Sequence, residues 1–384
     1  MKKSGISRRT LLAVLLMLQL LLGISGLIYA ANPQFDKETF HIYVFIGQSN
    51  MAGRGDVEAQ DTAPVPGAYL FNSQGSWEVA TAPMNRYTNS ELGSRAKLNP
   101  AYTFAKAMTQ AYPEITFGII SNARGGTTID QWQKDYDGPV AGNDNDGRPW
   151  TGVGQKNLYT RTLERIKEAQ QYGTVKGILW HQGEGNRSDV AYLTKLAKLI
   201  NDLRADLGDP DLAFVAGEVY NGPGAYTASA GFNARLAALP QQVANTGVIT
   251  TAGTSVWDTT THFDSVSQRI LGYRYADRIK QLVYGAAVDT TPPSVPQGIH
   301  MVDRSMTHVT FAWEPSSDDE GVMGYEIYLN GNGTPSYSTT TPSCTVTGLG
   351  PGALVLANIL AFDAAGNRSA LSEMFVGSAE RFRP

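Results

Sequence analysis

The sequence predicts an α/β protein, a largely parallel sheet with helices on both faces, followed by a small all-β sandwich. Three observations carry this. Apolar runs rich in β-branched and aromatic residues alternate with amphipathic helical stretches through the first three quarters of the 384 residues. A break at Asp289-Thr290-Thr291-Pro292-Pro293 cannot continue a helix. Beyond it the helical period disappears and short apolar runs are separated by Pro, Gly, Ser and Asn.

The chain opens with Lys2, Lys3, Arg8 and Arg9, then an apolar run from Leu11 interrupted by Gln19 before Leu22, then Tyr29-Ala30-Ala31. That is a secretory signal pattern over residues 1–30, cut near Ala30 or Ala31. Ser7-Arg8-Arg9-Thr10-Leu11-Leu12 also has the form of a twin-arginine export signal, and the apolar run through Ile28 leaves an uncleaved anchor open. A secreted or periplasmic location follows, with membrane contact only if this segment stays attached. It holds four basic and no acidic side chains, so its removal takes the formal charge from −4 to −8. An acidic protein of this kind is a poor nucleic-acid binder. A single cysteine, Cys344, excludes an internal disulfide and reads as a small buried apolar residue.

Residues 35–285 form the first domain. His41–Ile46 is its first strand, ending abruptly at Gly47. Asn99-Pro100 is an N-cap and first-turn proline for a helix to about Ala111, and Ile115–Ser121 is a second strand. Asn157–Tyr172 carries Leu158, Leu163, Ile166 and Ala169 among charges, an amphipathic helix. Val175–Trp180 is a third strand. Ser188 opens a helix with Leu193, Leu196, Ile200, Leu203 and Leu207 at helical spacing, Leu212–Ala216 is a fourth strand and Val248–Ala252 a fifth. A final helix follows His262, with Ser265-x-x-Gln268 as a capping box and Ile270, Leu271, Tyr273 and Ile279 to pack.

Residues 286–293 read as a linker and 294–378 as the sandwich, with strands at Val309–Trp313, Gly324–Leu329, Cys344–Val346 and Leu354–Phe362. Pro292-Pro293 at entry, Trp313, Gly324-Tyr325-Glu326-Ile327-Tyr328, Thr347-Gly348-Leu349 and Asp363-Ala364-Ala365-Gly366-Asn367 resemble a fibronectin type III module. The chain departs from that family after Pro351-Gly352, where Ala353, Leu354 and Val355 stand instead of its corner tyrosine. The module is expected to act as a spacer, or as a contact for protein or glycan, and its deletion after Val288 to leave small-ester turnover intact.

Four polar stretches follow strands or precede the last helix: Gly47-Gln48-Ser49-Asn50-Met51, Ser121–Thr128 with Gly125-Gly126, Trp180-His181-Gln182-Gly183-Glu184-Gly185, and Trp257–Asp264. In α/β sheets the carboxyl ends of strands face the ligand crevice, so the four would meet at one edge. A serine hydroxyl needs a base within hydrogen-bond reach, itself oriented by a carboxylate. Ser49 is the candidate nucleophile and His262 the candidate base. The amides of Ser49 and Gly126 and the carboxamide of Gln182 suit an oxyanion hole. Each stretch alone is more often only a turn or a structural residue; their succession is what points to catalysis.

These blocks resemble the SGNH-hydrolase superfamily, and within it the sialate O-acetylesterase and carbohydrate esterase family 6 acetyl xylan esterase branch, over about Phe40–Tyr284. The resemblance implies a three-layer, flavodoxin-like fold and a serine esterase that removes acetyl groups from sugars without metal or organic cofactor. It carries Ser49 over as nucleophile, His262 as base, and the Ser49 amide, Gly126 and Gln182 as oxyanion hole. The family's acid lies three residues before the histidine, where this chain has Thr259. A loop can absorb one extra residue, so Asp258, one place earlier, is the choice for the carboxylate that orients His262, with Glu184 as its rival. Two other readings stand beside acetylated sugars: an esterase for another small acyl ester, and a glycan-binding protein that keeps the crevice without catalysis. Trp132, Trp150 and Trp257 are candidate sugar-stacking or packing residues. Gly142–Gly147 has some features of a calcium loop but fails the ligand spacing, and reads as a solvated insert.

Overall fold

A computed structural model describes residues 33–87, 97–140, 157–333 and 335–382. The expected signal segment, the Gly142–Gly147 insert and Trp150 lie outside the described residues. Among the described residues, no helix is long and apolar enough to cross a membrane.

A seven-stranded sheet forms the first layer: β1 (Phe40–Gly47), β2 (Val65–Phe71), β3 (Trp77–Ala80), β4 (Thr116–Ser121), β5 (Thr174–His181), β6 (Ala213–Gly217) and β7 (Thr246–Ile249). Their order is β3-β2-β4-β1-β5-β6-β7. All neighbours are parallel except the β2–β3 edge pair. β1 lies at the centre, with β4 on one side and β5 on the other, so the strand order reverses at its carboxyl end.

The alternation along β1 explains why a continuous apolar run forms a strand here. Phe40, Ile42, Val44 and Ile46 enter one core, and Tyr43 and Phe45 the other. Helices α3 (Leu158–Ala169) and α4 (Tyr192–Leu207) close the first face. Helices α2 (Pro100–Ala111) and α7 (Ser265–Tyr284) close the second. The short helices α1 (Ser49–Ala52), α5 (Ala228–Leu236) and α6 (Leu239–Gln242) fill the connections.

The expected strands and long helices are present with ends shifted by a few residues. The capping box at Ser265 is not. Asp264 is the N-cap, its Oδ1 accepting the Ser267 amide at 2.8 Å, while Gln268 reaches inward to the Asn50 carbonyl at 3.2 Å. An aspartate at the cap satisfies the orphan amide directly, which releases the glutamine for another partner.

The C-terminal residues build a fibronectin type III-like sandwich. One sheet joins β10 (Val322–Leu329), β11 (Tyr337–Thr339), β13 (Leu354–Asp363) and β14 (Phe375–Ser378). The other joins β8 (Gln297–Arg304), β9 (His308–Glu314) and β12 (Ser343–Thr347). Trp313, Phe311, Tyr325 and Ile359 centre its core, and Cys344 lies buried among them. Burial pushes the Cys344 thiol up to about 12.

Candidate active site

Gly47 ends β1 at φ +133°, a conformation that side chains avoid, and a Cβ there would stand 2.2 Å from the His181 carbonyl oxygen. The bare backbone lets the chain pass against β5, where the Gln48 amide donates to that same carbonyl at 2.9 Å. The next residue, Ser49, opens α1 at the carboxyl edge of the sheet. From the β4 side, the Arg124 amide donates to the Gly47 carbonyl at 2.8 Å and brings the Gly125-Gly126 turn alongside. A Cβ on Gly125 would lie 3.8 Å from the Ser49 Cα, whereas one on Gly126 would meet open space. Gly126 is thus exposed beside Ser49.

His262 arrives from the loop before α7. Its Nε2 stands 3.0 Å from Ser49 Oγ and its Nδ1 2.6 Å from Asp258 Oδ2. The other carboxylate oxygen, Asp258 Oδ1, accepts the amides of Thr260, Thr261 and His262 at 3.2, 2.9 and 2.9 Å. Burial by itself would raise the Asp258 carboxyl, but those three amides and the imidazole outweigh it and hold it below the ordinary carboxylate value. Thr259 makes this compact turn possible at φ +74°, an uncommon conformation for a β-branched residue.

Glu184 belongs to a different network. Its carboxylate accepts Gln48 Nε2 and Asn50 Nδ2, each at 2.5 Å. Asn50 is the joint between the stretches: it also donates to the Thr261 carbonyl at 3.0 Å and accepts the Phe263 amide at 3.1 Å, gripping the backbone on both sides of His262. Neither Gln48 nor Asn50 stood out in the sequence beyond membership of the Ser49 block, although two carboxamides flanking a serine were a usable signal.

Gln182 departs from the expectation. It is fully buried, and its Nε2 donates to the Thr127 carbonyl at 3.1 Å and to Asn186 Oδ1 at 2.8 Å. With both amide hydrogens engaged it braces the glycine turn and is not free to serve an oxyanion in this arrangement. His181 is also internal, bonded through Nδ1 to the Tyr275 hydroxyl at 3.0 Å; burial lowers its pKa against the pull of Glu184, which keeps it neutral and structural. Of the tryptophans, Trp132 is wholly buried and donates to Thr127 Oγ1 at 3.0 Å. Trp257 is 60% exposed and stacks on His262, centroids 6.0 Å apart and planes 15° from parallel.

A family model for carbohydrate esterases, described as sialic acid-specific acetylesterase, matches residues 39–281. The chain belongs to this family. Carbohydrate esterases of this kind are hydrolases of acetyl esters, and the matched span holds Ser49, Gly126, Glu184, Asp258 and His262. A probable carbohydrate esterase of Arabidopsis thaliana is 26% identical over 204 residues, 48% of this chain and 70% of that protein. A solved structure of an Arabidopsis thaliana protein has the same fold, with a TM-score of 0.52 at 23% identity over 63% of this chain and 98% of that one. Chitinase Chi52 of Paenibacillus xylanexedens is 46% identical over 84 residues, 22% of this chain and 16% of the chitinase, a length that fits the sandwich of this esterase. Among the described residues, the carboxylates that converge closely enough to receive a cation are Asp289, Asp318 and Asp363, within 4.8 Å of one another in the linker and module rather than beside Ser49.

Proposed function

We propose that this carbohydrate esterase is an exported O-acetylesterase that transfers the acetyl group of an acetylated sugar to Ser49 and then to water. The observation that carries the proposal is the continuous chain Ser49 Oγ, His262 Nε2, His262 Nδ1, Asp258 Oδ2, with links of 3.0 and 2.6 Å. Ser49 Oγ attacks the acetyl carbon while His262 Nε2 takes its proton. The same proton passes to the sugar oxygen as the ester bond breaks, and the acetyl-enzyme is hydrolysed by a water that His262 deprotonates in turn. Asp258 holds the imidazole tautomer and offsets the imidazolium charge. The amides of Ser49 and Gly126 are the oxyanion donors we favour, because Gly126 is exposed on the turn that lies alongside Ser49. Trp257, exposed beside His262, offers a flat face to the departing sugar. The amino-terminal pattern of basic residues, apolar run and small residues supports export.

The test is acetate release from acetylated xylan, O-acetylated sialic acid and simple acetyl esters. Ser49→Ala is expected to lower turnover on the preferred substrate by about 10⁴-fold or more. Turnover near the wild-type rate in that variant would end the serine-esterase reading. Loss of all hydrolysis in the native protein with sugar binding intact would favour the glycan-binding alternative.

A further inference from the structure

The module is docked on the esterase domain, and a cavity lies where the two meet. Ile270, with Val266 and Tyr273 beside it on α7, packs against Met323, Leu360 and Phe362 of the sandwich. The loop after β7 presses closer still: Gly253, at φ +75°, would with a Cβ stand 2.5 Å from Glu326 Oε1 and 3.1 Å from the Arg368 guanidinium. Only a bare backbone fits between the domains there. Beside this contact opens a cleft of about 880 Å³, with Glu218, Tyr220 and Thr251 on the esterase side and Tyr328, Tyr337 and Arg368 on the module side. The volume falls in the range of about 300–1,000 Å³ of small-molecule sites. The loop that delivers the proposed catalytic residues forms part of its wall: Val256, Thr259 and Asp264 line the cleft, while Asp258 and His262 of the same loop turn to Ser49.

We infer that this cleft is a second carbohydrate subsite, built jointly by the two domains, that takes an unacetylated, neutral stretch of the sugar chain whose acetylated residue lies at Ser49. The inference rests on the carbohydrate O-acetylesterase reading and adds the part of the substrate that the module contacts. Tyrosine rings give flat apolar faces for pyranose rings, and carboxylates and hydroxyls accept and donate to sugar hydroxyls. Neutral sugar is specified by charge. Among the described lining residues the cation is Arg368, already paired with the buried Glu326 at 2.8 Å, whereas Glu218 and Asp264 add negative charge. A sugar carboxylate would meet acid without a free cation.

Calorimetric titration of the full-length protein with unacetylated xylohexaose tests the site without requiring any turnover, with sialyllactose as the anionic comparison. Tyr337→Ala removes a ring from the cleft, and Ser336→Trp, at an exposed position on its rim, fills it without touching either core. Both are expected to weaken xylohexaose binding at least tenfold. Both should also raise the KM for acetylated xylan, relative to that for p-nitrophenyl acetate, by a similar factor. His300→Ala, on an exposed strand of the module away from the lining, should alter neither quantity. No xylohexaose binding by the native protein, binding by both variants as tight as the native protein's, or preferential binding of sialyllactose overturns the proposal. Failure of Ser49→Ala to impair hydrolysis would instead strike the esterase reading while the titration still reported on the cleft.

Discussion

Thr259 is the residue on which the choice of acid turns. Its positive φ folds Asp258-Thr259-Thr260-Thr261-His262 so tightly that a carboxylate four places before the histidine reaches Nδ1 and accepts three backbone amides. Sequence spacing cannot reveal a left-handed threonine, which is why Glu184 remained a rival to Asp258 on the residues alone, whereas Ser49 and His262 stood out as polar residues in the turn after one strand and the loop before one helix. Glu184 is clasped by Gln48 and Asn50 instead. Asp258→Asn is therefore expected to lower kcat by about 10⁴-fold with little change in Tm, because the imidazole loses the partner that fixes its tautomer. Glu184→Gln should do the reverse: a smaller loss of kcat and a lower Tm, since two buried carboxamide donors no longer share one carboxylate as acceptor. Steady-state kinetics with thermal melts on the pair separates the roles, and equal kinetic losses would return Glu184 to contention. The depressed Asp258 pKa also fixes a sign. Its ionised form adds stability above the ordinary carboxylate range, and that contribution fades as pH falls through the depressed value, so Asp258→Asn should flatten the acid limb of the stability profile.

Helix α7 does more at the scale of elements than its apolar pattern suggests. One face enters the esterase core through Leu271, Tyr275 and Ile279, and Ile270 packs on the module. Arg269 forms a bidentate pair with buried Asp61 at 2.9 and 2.6 Å and reaches Glu58 at 2.7 Å. Arg269 is 4% exposed and Asp61 1%, so Arg269→Ala would leave an uncompensated buried carboxylate. Such a loss costs about 3–5 kcal/mol. Denaturant melts of Arg269→Ala should show that drop, and Asp61→Asn in the same background should recover part of it; an unchanged midpoint would mean that the pair is dispensable. The sheet strands most visible in the sequence were the interior ones, β1, β4, β5 and β6, whose central residues form nearly continuous buried apolar runs. β2 was hidden by Pro66-Gly67, which break its register between Val65 and Tyr69, and β3 by its four-residue length at the edge. β8 was hidden by exposure along nearly its whole length, which leaves no alternation to read.

Across the whole molecule, the expectation of the module as a spacer meets a packed interface, and the junction beside it carries its own electrostatics. Deletion after Val288 would bare Ile270 and its neighbours and remove the wall behind the Gly253 loop, so a lower Tm and reduced turnover of even a small ester are now expected from that truncation. At the linker, Asp289, Asp318 and Asp363 converge. Burial first, and then the charge of Asp289, raise the carboxyls of Asp318 and Asp363 above their ordinary value, against the amides that favour their ionised forms. The sign follows from linkage. A carboxyl whose folded pKa is raised binds more protons folded than unfolded, so its contribution to stability is present below the unfolded pKa and is lost as pH rises through the folded one. At neutral pH the junction therefore carries like-charge repulsion that mild acid relieves. Asp289→Asn removes one charge and keeps the Oδ1 acceptor that holds the Thr291 amide at 2.9 Å. With chelator present to exclude stray cations, that variant should melt higher than the native protein at pH 7.5, and the gain should shrink towards pH 4. Parallel melting profiles across that interval would show that the three carboxylates do not repel one another in solution.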